Sequence, residues 1–508
     1  MGPQPPRGLD QLAAAASDLL VEVRGDPSTL VGGLAYDSRS VTAGDLFFCI
    51  PGARADGHAF ARAATDAGAT SLCVERPTGS GSPEVVVSDA RRAMARMAAA
   101  WFGHPADDML MLGVTGTNGK TTTAFLLESI LKAAGYTVGL IGTIETHIGD
   151  ERRPGIRTTP ESLDLQEVLA EMRVRDVGAV AMEVTSHALA LHRVEGIRFA
   201  AAGFTNLSQD HLDFHAGMDP YFDAKRALFE PGRCARGAAN ADDPWGRALL
   251  ARALIPMIGF GGSEDADLRA SDVTFGPSGT RFSVRSSAGG FEVATPLVGG
   301  FNVSNCLAAA AVALQAGIDP AAVEAGLNGL TAVPGRFESI DEGQPFTVVV
   351  DYAHTPDSLD NVLAAARSLA ATRSPDARVI CAFGCGGDRD AGKRPLMGSV
   401  VARLADVVIV TSDNPRSEVP GAIIDQILEG VVAMRPDGPD AVLEDRRAAI
   451  ERAIGAARPD DVVVIAGKGH ETGQEFADRT IPFDDRVVAR AALRARNDVV
   501  TVDRAGSR

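Results

Sequence analysis

Residues 113–123 read GVTGTNGKTTT. The glycines, the Gly119-Lys120 pair and the threonines after it have the composition of a phosphate-binding loop. The spacing is unusual, because the common loop puts four residues between its first glycine and Gly-Lys. Here five residues separate Gly113 from Gly119, two separate Gly116 from it, and position 114 is Val. The flanks decide the reading. An apolar strand, MLMLGV at 109–114, leads in, and a helical stretch, TTTAFLLESILKAAG at 121–135, leads out with Gly135 as its stop. Backbone N–H groups at such a helix start face an anion, and the helix dipole favours one there. Lys120 is expected to reach the β/γ-phosphates of a nucleotide and the Thr121 hydroxyl to hold Mg²⁺.

The rest of the chain bounds what such a loop can serve. At 508 residues there is room for about three domains, and an apolar content of 45% supports full-sized cores. The 49 basic and 66 acidic residues leave a net charge of −17, which argues against a dedicated nucleic-acid binder. No apolar run is long enough to span a bilayer. The start, MGPQPPRGLD, lacks a signal-peptide core and the hydroxyl residue of a myristoylation site, and reads as a frayed tail. Six scattered cysteines with no CxxC pair are expected to be buried thiols in a reducing cytosol.

The pattern divides the chain in three. Residues 1–104 alternate short strands and helices, such as GDLFFCI at 44–50 and ARRAMARMAAAWFG at 90–103, and form a small α/β domain. His104-Pro105 breaks the pattern. Residues 105–333 continue strand–helix alternation as a P-loop-type domain with a mostly parallel sheet, and TRFSVRSSAGGFEVATPLVGG at 280–300 adds a small antiparallel β segment. From 334 to 508 four apolar strands each run into a polar or glycine-rich loop: VVVDYAHTPDS, VICAFGCGGDRD, VVIVTSDNPRSE and VVVIAGKGHE. That is an open, Rossmann-like α/β sheet, whose loops all lie at the carboxyl edge where ligands bind.

The loop TGTNGKTT resembles that of the Mur ligase family and its folylpolyglutamate synthetase relatives. The likeness continues through YDSRSVTAGDLFFCIPGARADGHAF (36–60), RTTPE (157–161), AMEVTSHAL (181–189), FTNLSQDHLDFH (204–215), YFDAKRALF (221–229), GGFNVSN (299–305), PGRFE (334–338), VVDYAHTPDS (349–358), FGCGGDRDAGKRPLMG (383–398), DNPRSE (413–418) and AGKGHET (466–472). It implies a cytoplasmic, ADP-forming amide ligase of peptidoglycan synthesis, expected to be a monomer. Its small-molecule substrates would be ATP, UDP-N-acetylmuramoyl-L-alanyl-D-glutamate and meso-2,6-diaminopimelate. L-lysine addition, or folate-type glutamate ligation, is the alternative on the same scaffold. Folate-type ligation would leave the first segment and DNPR unexplained, and the loop spacing does not support a P-loop switch or motor ATPase.

Residue by residue, the resemblance implies the following. Gly116, Thr117, Asn118, Gly119, Lys120, Thr121 and Thr122, with Asn305, Arg336, Asp351 and His354, hold ATP. Thr121 and Glu183 hold one Mg²⁺, and His211 holds a second. Lys225, which by itself reads as an exposed helix lysine, becomes a CO₂-derived carbamate whose oxygens suit Mg²⁺. Tyr36, Asp37, Ser38 and Ala53, Arg54 and Ala55 meet the UDP end of the acceptor, while Thr158, Thr159, Thr185 and Arg193 meet its dipeptide end. Arg157, Leu191 and Thr185 stand where relatives carry Asn, Gln and Ser. The amino-acid site is built from Arg389, Asp413, Asn414, Pro415, Arg416, Gly467 and Glu471. Arg416 would grip the distal carboxylate that distinguishes diaminopimelate from lysine, and Glu471 the distal ammonium.

Overall fold

The computed structural model describes residues 4–506 except 53–54, 277–278 and 288, with side chains described up to 497. Three main sheets follow one another along the chain. The first orders its strands Leu20–Arg24, Glu84–Val87, Ser71–Val74, Asp45–Phe48 and Gly33–Ala35, parallel apart from the first pair. The expected amino-terminal tail instead contributes Arg7–Gly8, paired with Leu30–Val31, while residues 1–3 lie outside the described residues.

Among the described residues the second sheet has 11 strands. Its centre is parallel: Val138–Ile141, Ala179–Glu183, Leu110–Thr115, Phe199–Phe204, Cys234–Asn240 and Met257–Gly261. These strands are continuous apolar runs because both faces are covered, by the helices Lys120–Ala133 and Gly300–Gln315 on one side and Ser162–Val174 on the other. The antiparallel segment does not form a separate layer. Leu268–Gly276, Gly279–Ser286 and Gly289–Thr295 extend the same sheet at one edge. A hairpin at the opposite edge, Glu145–Ile148 with Glu151–Pro154, was not visible in the sequence pattern, since ETHIGDERRP has no apolar alternation.

The third sheet runs Glu338–Ser339, Thr347–Asp351, Val462–Ala466, Val379–Phe383, Val407–Thr411 and Ala441–Leu443. All but the first pair are parallel, so the four polar loops do share one edge. Passage from the first to the second sheet crosses His104, which takes a left-handed φ of 51° before Pro105 opens a short 3₁₀ turn. Passage to the third crosses a turn with Gly335 at φ 64° and Phe337 at φ 47°.

One buried ion pair braces the loop edge of the third sheet. Arg446 donates to both oxygens of Asp485 at 2.8 and 2.6 Å, and both side chains are fully enclosed. Its remaining N–H groups reach the carbonyls of Ser412 at 3.2 Å and Ala466 at 3.0 Å. It thus ties together the ends of the strands that present DNPR and GKGHE. Replacing Arg446 by Leu strands Asp485 and both carbonyls, and is expected to destabilise this part of the fold by about 3–5 kcal/mol. Urea unfolding of the variant against the parent checks this; equal midpoints would contradict it.

Candidate active site

The phosphate loop is shaped by two glycines in conformations closed to other residues. Gly116 has φ 146° and Gly119 φ 85°. A Cβ at Gly116 would lie 1.9 Å from Thr205 Oγ1, and one at Gly119 would lie 2.2 Å from Asn305 Oδ1. The segment after Phe199–Phe204 braces the loop. Thr117 N–H donates to Asn206 O at 2.9 Å, Asn118 N–H to Asn206 Oδ1 at 2.9 Å, and Thr205 Oγ1 to Asn118 O at 2.6 Å. Asn206 was not singled out from the sequence, although its FTNLSQDH stretch was.

Two lysines converge on one carbonyl. Lys120 Nζ donates to Gly116 O at 2.9 Å and Thr117 O at 2.7 Å, and Lys225 Nζ donates to Gly116 O at 2.6 Å. Lys225 is 1% exposed, so its reading as a surface helix lysine is overturned. The helix Met218–Arg226 turns its Tyr221, Phe222 and Lys225 face inward, and Nζ sits 4.7 Å from the Tyr221 ring centre. Burial, then the neighbouring Lys120, pushes the Lys225 amine well below its ordinary range. Burial lowers Lys120 as well.

Glu183 ends its strand inside this site, 1% exposed. Its carboxylate accepts from Thr121 Oγ1 at 3.0 Å, Thr143 N–H at 2.8 Å and Thr143 Oγ1 at 3.0 Å. These partners are neutral, which leaves a buried carboxylate suited to a cation. Thr143 went unnoticed in the sequence, though it follows the strand Val138–Ile141 at the same sheet edge as Glu183. His211 sits beside Asp210 with a left-handed φ of 55°, and its ring packs 4.8 Å from His187. Burial brings its pKa down to about 4, so the imidazole is neutral and able to ligate.

The third sheet supplies the other wall. Arg336 Nη2 donates to Thr121 Oγ1 at 3.2 Å, its guanidinium lies 4.4 Å from the Tyr352 ring, and Asn118 Nδ2 reaches Asp357 at 2.8 Å. Asp351 accepts the N–H groups of Phe337 at 2.6 Å and Ala353 at 2.7 Å, holding the turn that carries Arg336; burial raises its pKa. His354 Nδ1 bonds Tyr352 O at 2.8 Å, and burial brings its pKa to about 4. Asn305 is buried within the helix Gly300–Gln315, bonded to Asn302 at 3.0 Å, and does not cap it. Thr117 to Thr122, Glu183, His211, Asn305, Arg336, Asp351 and His354 all line one cleft of about 460 Å³, with Thr158 and Thr185 at its margin. Gly116 and Lys225 lie behind it.

The acceptor-site expectations fall on a neighbouring network. Thr159 Oγ1 donates to Glu183 O at 2.8 Å, Thr158 Oγ1 bonds Thr143 Oγ1 at 3.0 Å, and Thr185 caps its helix by accepting from Ala188 N–H. Arg193 joins Thr159 O at 3.1 Å and Glu161 at 2.7 Å, and Arg157 joins Glu161 at 3.0 Å. Leu191 ends the short helix carrying His187. Tyr36 donates to Asp164 at 2.7 Å, linking the first segment to the second. Asp37 pairs with Arg39 at 2.6 Å, Ser38 is part-exposed beside it, and Ala55 O accepts from Gly52 N–H at 3.0 Å. Ala53 and Arg54 lie outside the described residues.

The residues expected to meet the amino acid lie outside the nucleotide cleft, in loops on the shared edge. Asp413 and Asn414 are buried. Arg416 adopts φ 52°, with Nε on Glu475 at 3.0 Å and Nη1 on Gly387 O at 2.7 Å. Gly467, at φ 120°, passes Asp413 so closely that a Cβ would sit 2.3 Å from Oδ2. Glu471 bonds Asn414 Nδ2 at 2.7 Å and Lys468 Nζ at 2.8 Å. Pro415 precedes Arg416 in the loop, while Arg389 is exposed, with Nη1 on Asp388 O at 3.1 Å. Lys468 and Glu475 were not picked out from the sequence; a lysine and a glutamate in loops carry no signal of burial or pairing.

Gly119→Ala combines a left-handed φ with a side-chain collision. It is expected to reduce nucleotide affinity at least about tenfold while leaving the fold intact. Calorimetric titration with ADP checks this, and unchanged affinity would contradict it.

Three family models match in succession: "Mur ligase family, catalytic domain" over residues 30–103, "Mur ligase middle domain" over 114–313, and "Mur ligase, glutamate ligase domain" over 335–469. A protein named UDP-N-acetylmuramoyl-L-alanyl-D-glutamate--2,6-diaminopimelate ligase from Streptomyces coelicolor is 46% identical over 505 residues, covering 97% of this chain and 99% of its own. Its namesake from Solibacter usitatus is 48% identical, covering 92% and 94%. A solved structure under the same name superposes with a TM-score of 0.69 at 31% identity, over 97% of this chain and all of that one. The MurF ligase of Thermotoga maritima in complex with ADP has a TM-score of 0.60 at 20% identity, over 85% of this chain and 93% of that one, and shares the fold. Family models that tile the chain in order, and relatives this similar along nearly its whole length, establish that the chain belongs to the Mur ligase family.

Proposed function

We propose that this chain is an ATP-dependent, ADP-forming ligase that joins meso-2,6-diaminopimelate to the D-glutamate of UDP-N-acetylmuramoyl-L-alanyl-D-glutamate. The observation that carries this reading is the joint cleft, in which the phosphate loop and Glu183 of the second sheet face Arg336 and Asp351 of the third. The names borne by the relatives supply the substrates. The setting is cytoplasmic peptidoglycan precursor synthesis, and through it cell shape and division. Among the described residues no helix is long and apolar enough to cross a membrane.

A carboxylate oxygen is a poor leaving group, so the acceptor carboxylate must be activated. Its oxygen attacks the γ-phosphorus of ATP as the bond to the ADP oxygen breaks. The resulting acyl phosphate is attacked at its carbonyl carbon by the incoming amine, which sheds a proton as phosphate leaves. Both steps bring anions together, so fixed positive groups do most of the work. Lys120 and the N-terminus of the helix Lys120–Ala133 face the phosphates, Arg336 approaches from the other wall, and Arg193 and Thr159 orient the acceptor. Thr121 and Glu183 would hold one Mg²⁺, and His211 with a Lys225 carbamate would hold a second; such ions would supply positive charge against the phosphates. The donors fit this role: Glu183 is a buried carboxylate among neutral partners, and His211 is held neutral.

Lys225 is suited to carbamate formation. CO₂ reacts with the neutral amine, which loses a proton as the N–C bond forms, and burial favours that neutral form. The product places an anion beside Lys120, where a neutral amine stood. Lys225→Ala is expected to lose most activity and to recover part of it with a small added carboxylate. Full activity in Lys225→Ala or Lys225→Arg would exclude the carbamate role.

With heavy oxygen in the acceptor carboxylate, label is expected in the released phosphate; unlabelled phosphate or AMP as product would refute the mechanism. In a panel of amino acids, meso-diaminopimelate should exceed L-lysine in kcat/KM. An unpaired buried Arg416 would imply a penalty of about 3–5 kcal/mol. Glu475 already pairs Arg416, so the preference is expected near the lower end, about a hundredfold. Arg416→Ala should erode it mainly by harming diaminopimelate. Equal use of lysine by the unmodified enzyme would refute the substrate assignment.

A further inference from the structure

Lys468 is the one residue of the DNPR–GKGHE loop pair whose charge is wholly enclosed: its exposure is 0%. Its ammonium donates to Asn414 Oδ1 at 2.9 Å and to Glu471 Oε2 at 2.8 Å. Asn414 Nδ2 donates to the same Glu471 oxygen at 2.7 Å, and Glu475 N–H donates to Asn414 Oδ1 at 3.1 Å. The three side chains close a ring. This fixes which way the Asn414 amide points, because Oδ1 is held by the ammonium.

The ring also sets the charge of the pocket. Two ion pairs stand side by side, Lys468 with Glu471 and Arg416 with Glu475. Together they are neutral, and the two other charged residues expected in this site, Asp413 and Arg389, are opposite in sign. A distal head carrying both an ammonium and a carboxylate is also neutral, and can exchange hydrogen bonds with both pairs. A lone ammonium, as on lysine, adds an uncompensated positive charge beside Lys468 and Arg416. Without Lys468, Glu471 would be an unmatched carboxylate and a good counter-ion for that lone ammonium. Selectivity here depends as much on repelling the wrong head group as on gripping the right one.

We propose that Lys468 is a specificity-determining residue that keeps the amino-acid pocket neutral, so that it accepts a zwitterionic head and rejects a simple ammonium. This rests on the diaminopimelate reading given above. The test is kcat/KM for meso-diaminopimelate and for L-lysine, with ATP and the UDP-linked acceptor saturating, in the unmodified enzyme, Lys468→Met and Glu471→Gln. Lys468→Met is expected to lower the diaminopimelate-to-lysine ratio at least about tenfold, with KM for lysine falling relative to that for diaminopimelate. Glu471→Gln leaves the pocket positive and is expected to raise the ratio. Should Lys468→Met fail to bind ADP and so prove misfolded, Glu471→Gln decides the matter alone. A ratio unchanged within about twofold, with both substrates impaired alike, would make Lys468 a purely structural residue and overturn the proposal. An unmodified enzyme that does not prefer diaminopimelate would instead overturn the substrate reading, visibly and before any variant is compared, and the proposal with it.

Discussion

The carbonyl oxygen of Gly116 receives the side-chain nitrogens of both Lys120 and Lys225. Two ammonium groups on one oxygen repel each other, and with Lys225 buried and Lys120 partly so, the arrangement favours the neutral form of an amine there. Burial and the neighbouring Lys120 lower the pKa of Lys225, and burial lowers that of Lys120. This one constraint links the phosphate loop to the helix Met218–Arg226. It makes Gly116 necessary, since a side chain there would collide with Thr205.

The remaining pieces are arranged around that loop by sheet edges. Parallel strands end in register, so Thr115, Glu183 and the residues after Phe204 arrive at one rim. The third sheet presents its own rim in the same way, and the two meet across the cleft through Arg336, Tyr352 and Asp357. Neither sheet holds the nucleotide site alone. A site completed by two separately built rims couples binding to their relative position.

In and around the DNPR and GKGHE loops, charged side chains are paired. Arg446 with Asp485, Lys468 with Glu471, and Arg416 with Glu475 lie within a few residues of DNPR or GKGHE or brace them. Pairing of enclosed charges does little for net stability but punishes any change that leaves one partner alone.

The sequence by itself determined the fold class and the chemistry of the loop. Apolar strands ending in polar loops, the glycines of TGTNGKTT and the helix after it are local patterns, set by periodicity and backbone conformation. Ordered family motifs marked Glu183, Arg336, Asp351 and DNPR. Only the tertiary structure decided burial and partnership. Lys225 reads as a surface residue because a short amphipathic helix does not reveal which face is covered. Thr143, Asn206 and Lys468 passed unnoticed because a threonine, an asparagine or a lysine in a loop looks the same whether solvated or locked. The hairpin Glu145–Pro154 was missed because its strands are polar and are held by a neighbouring strand instead of by an apolar face of their own. Local order follows from residues three or four apart, whereas the burial and partners of a side chain depend on groups a hundred residues away, such as Gly116 for Lys225.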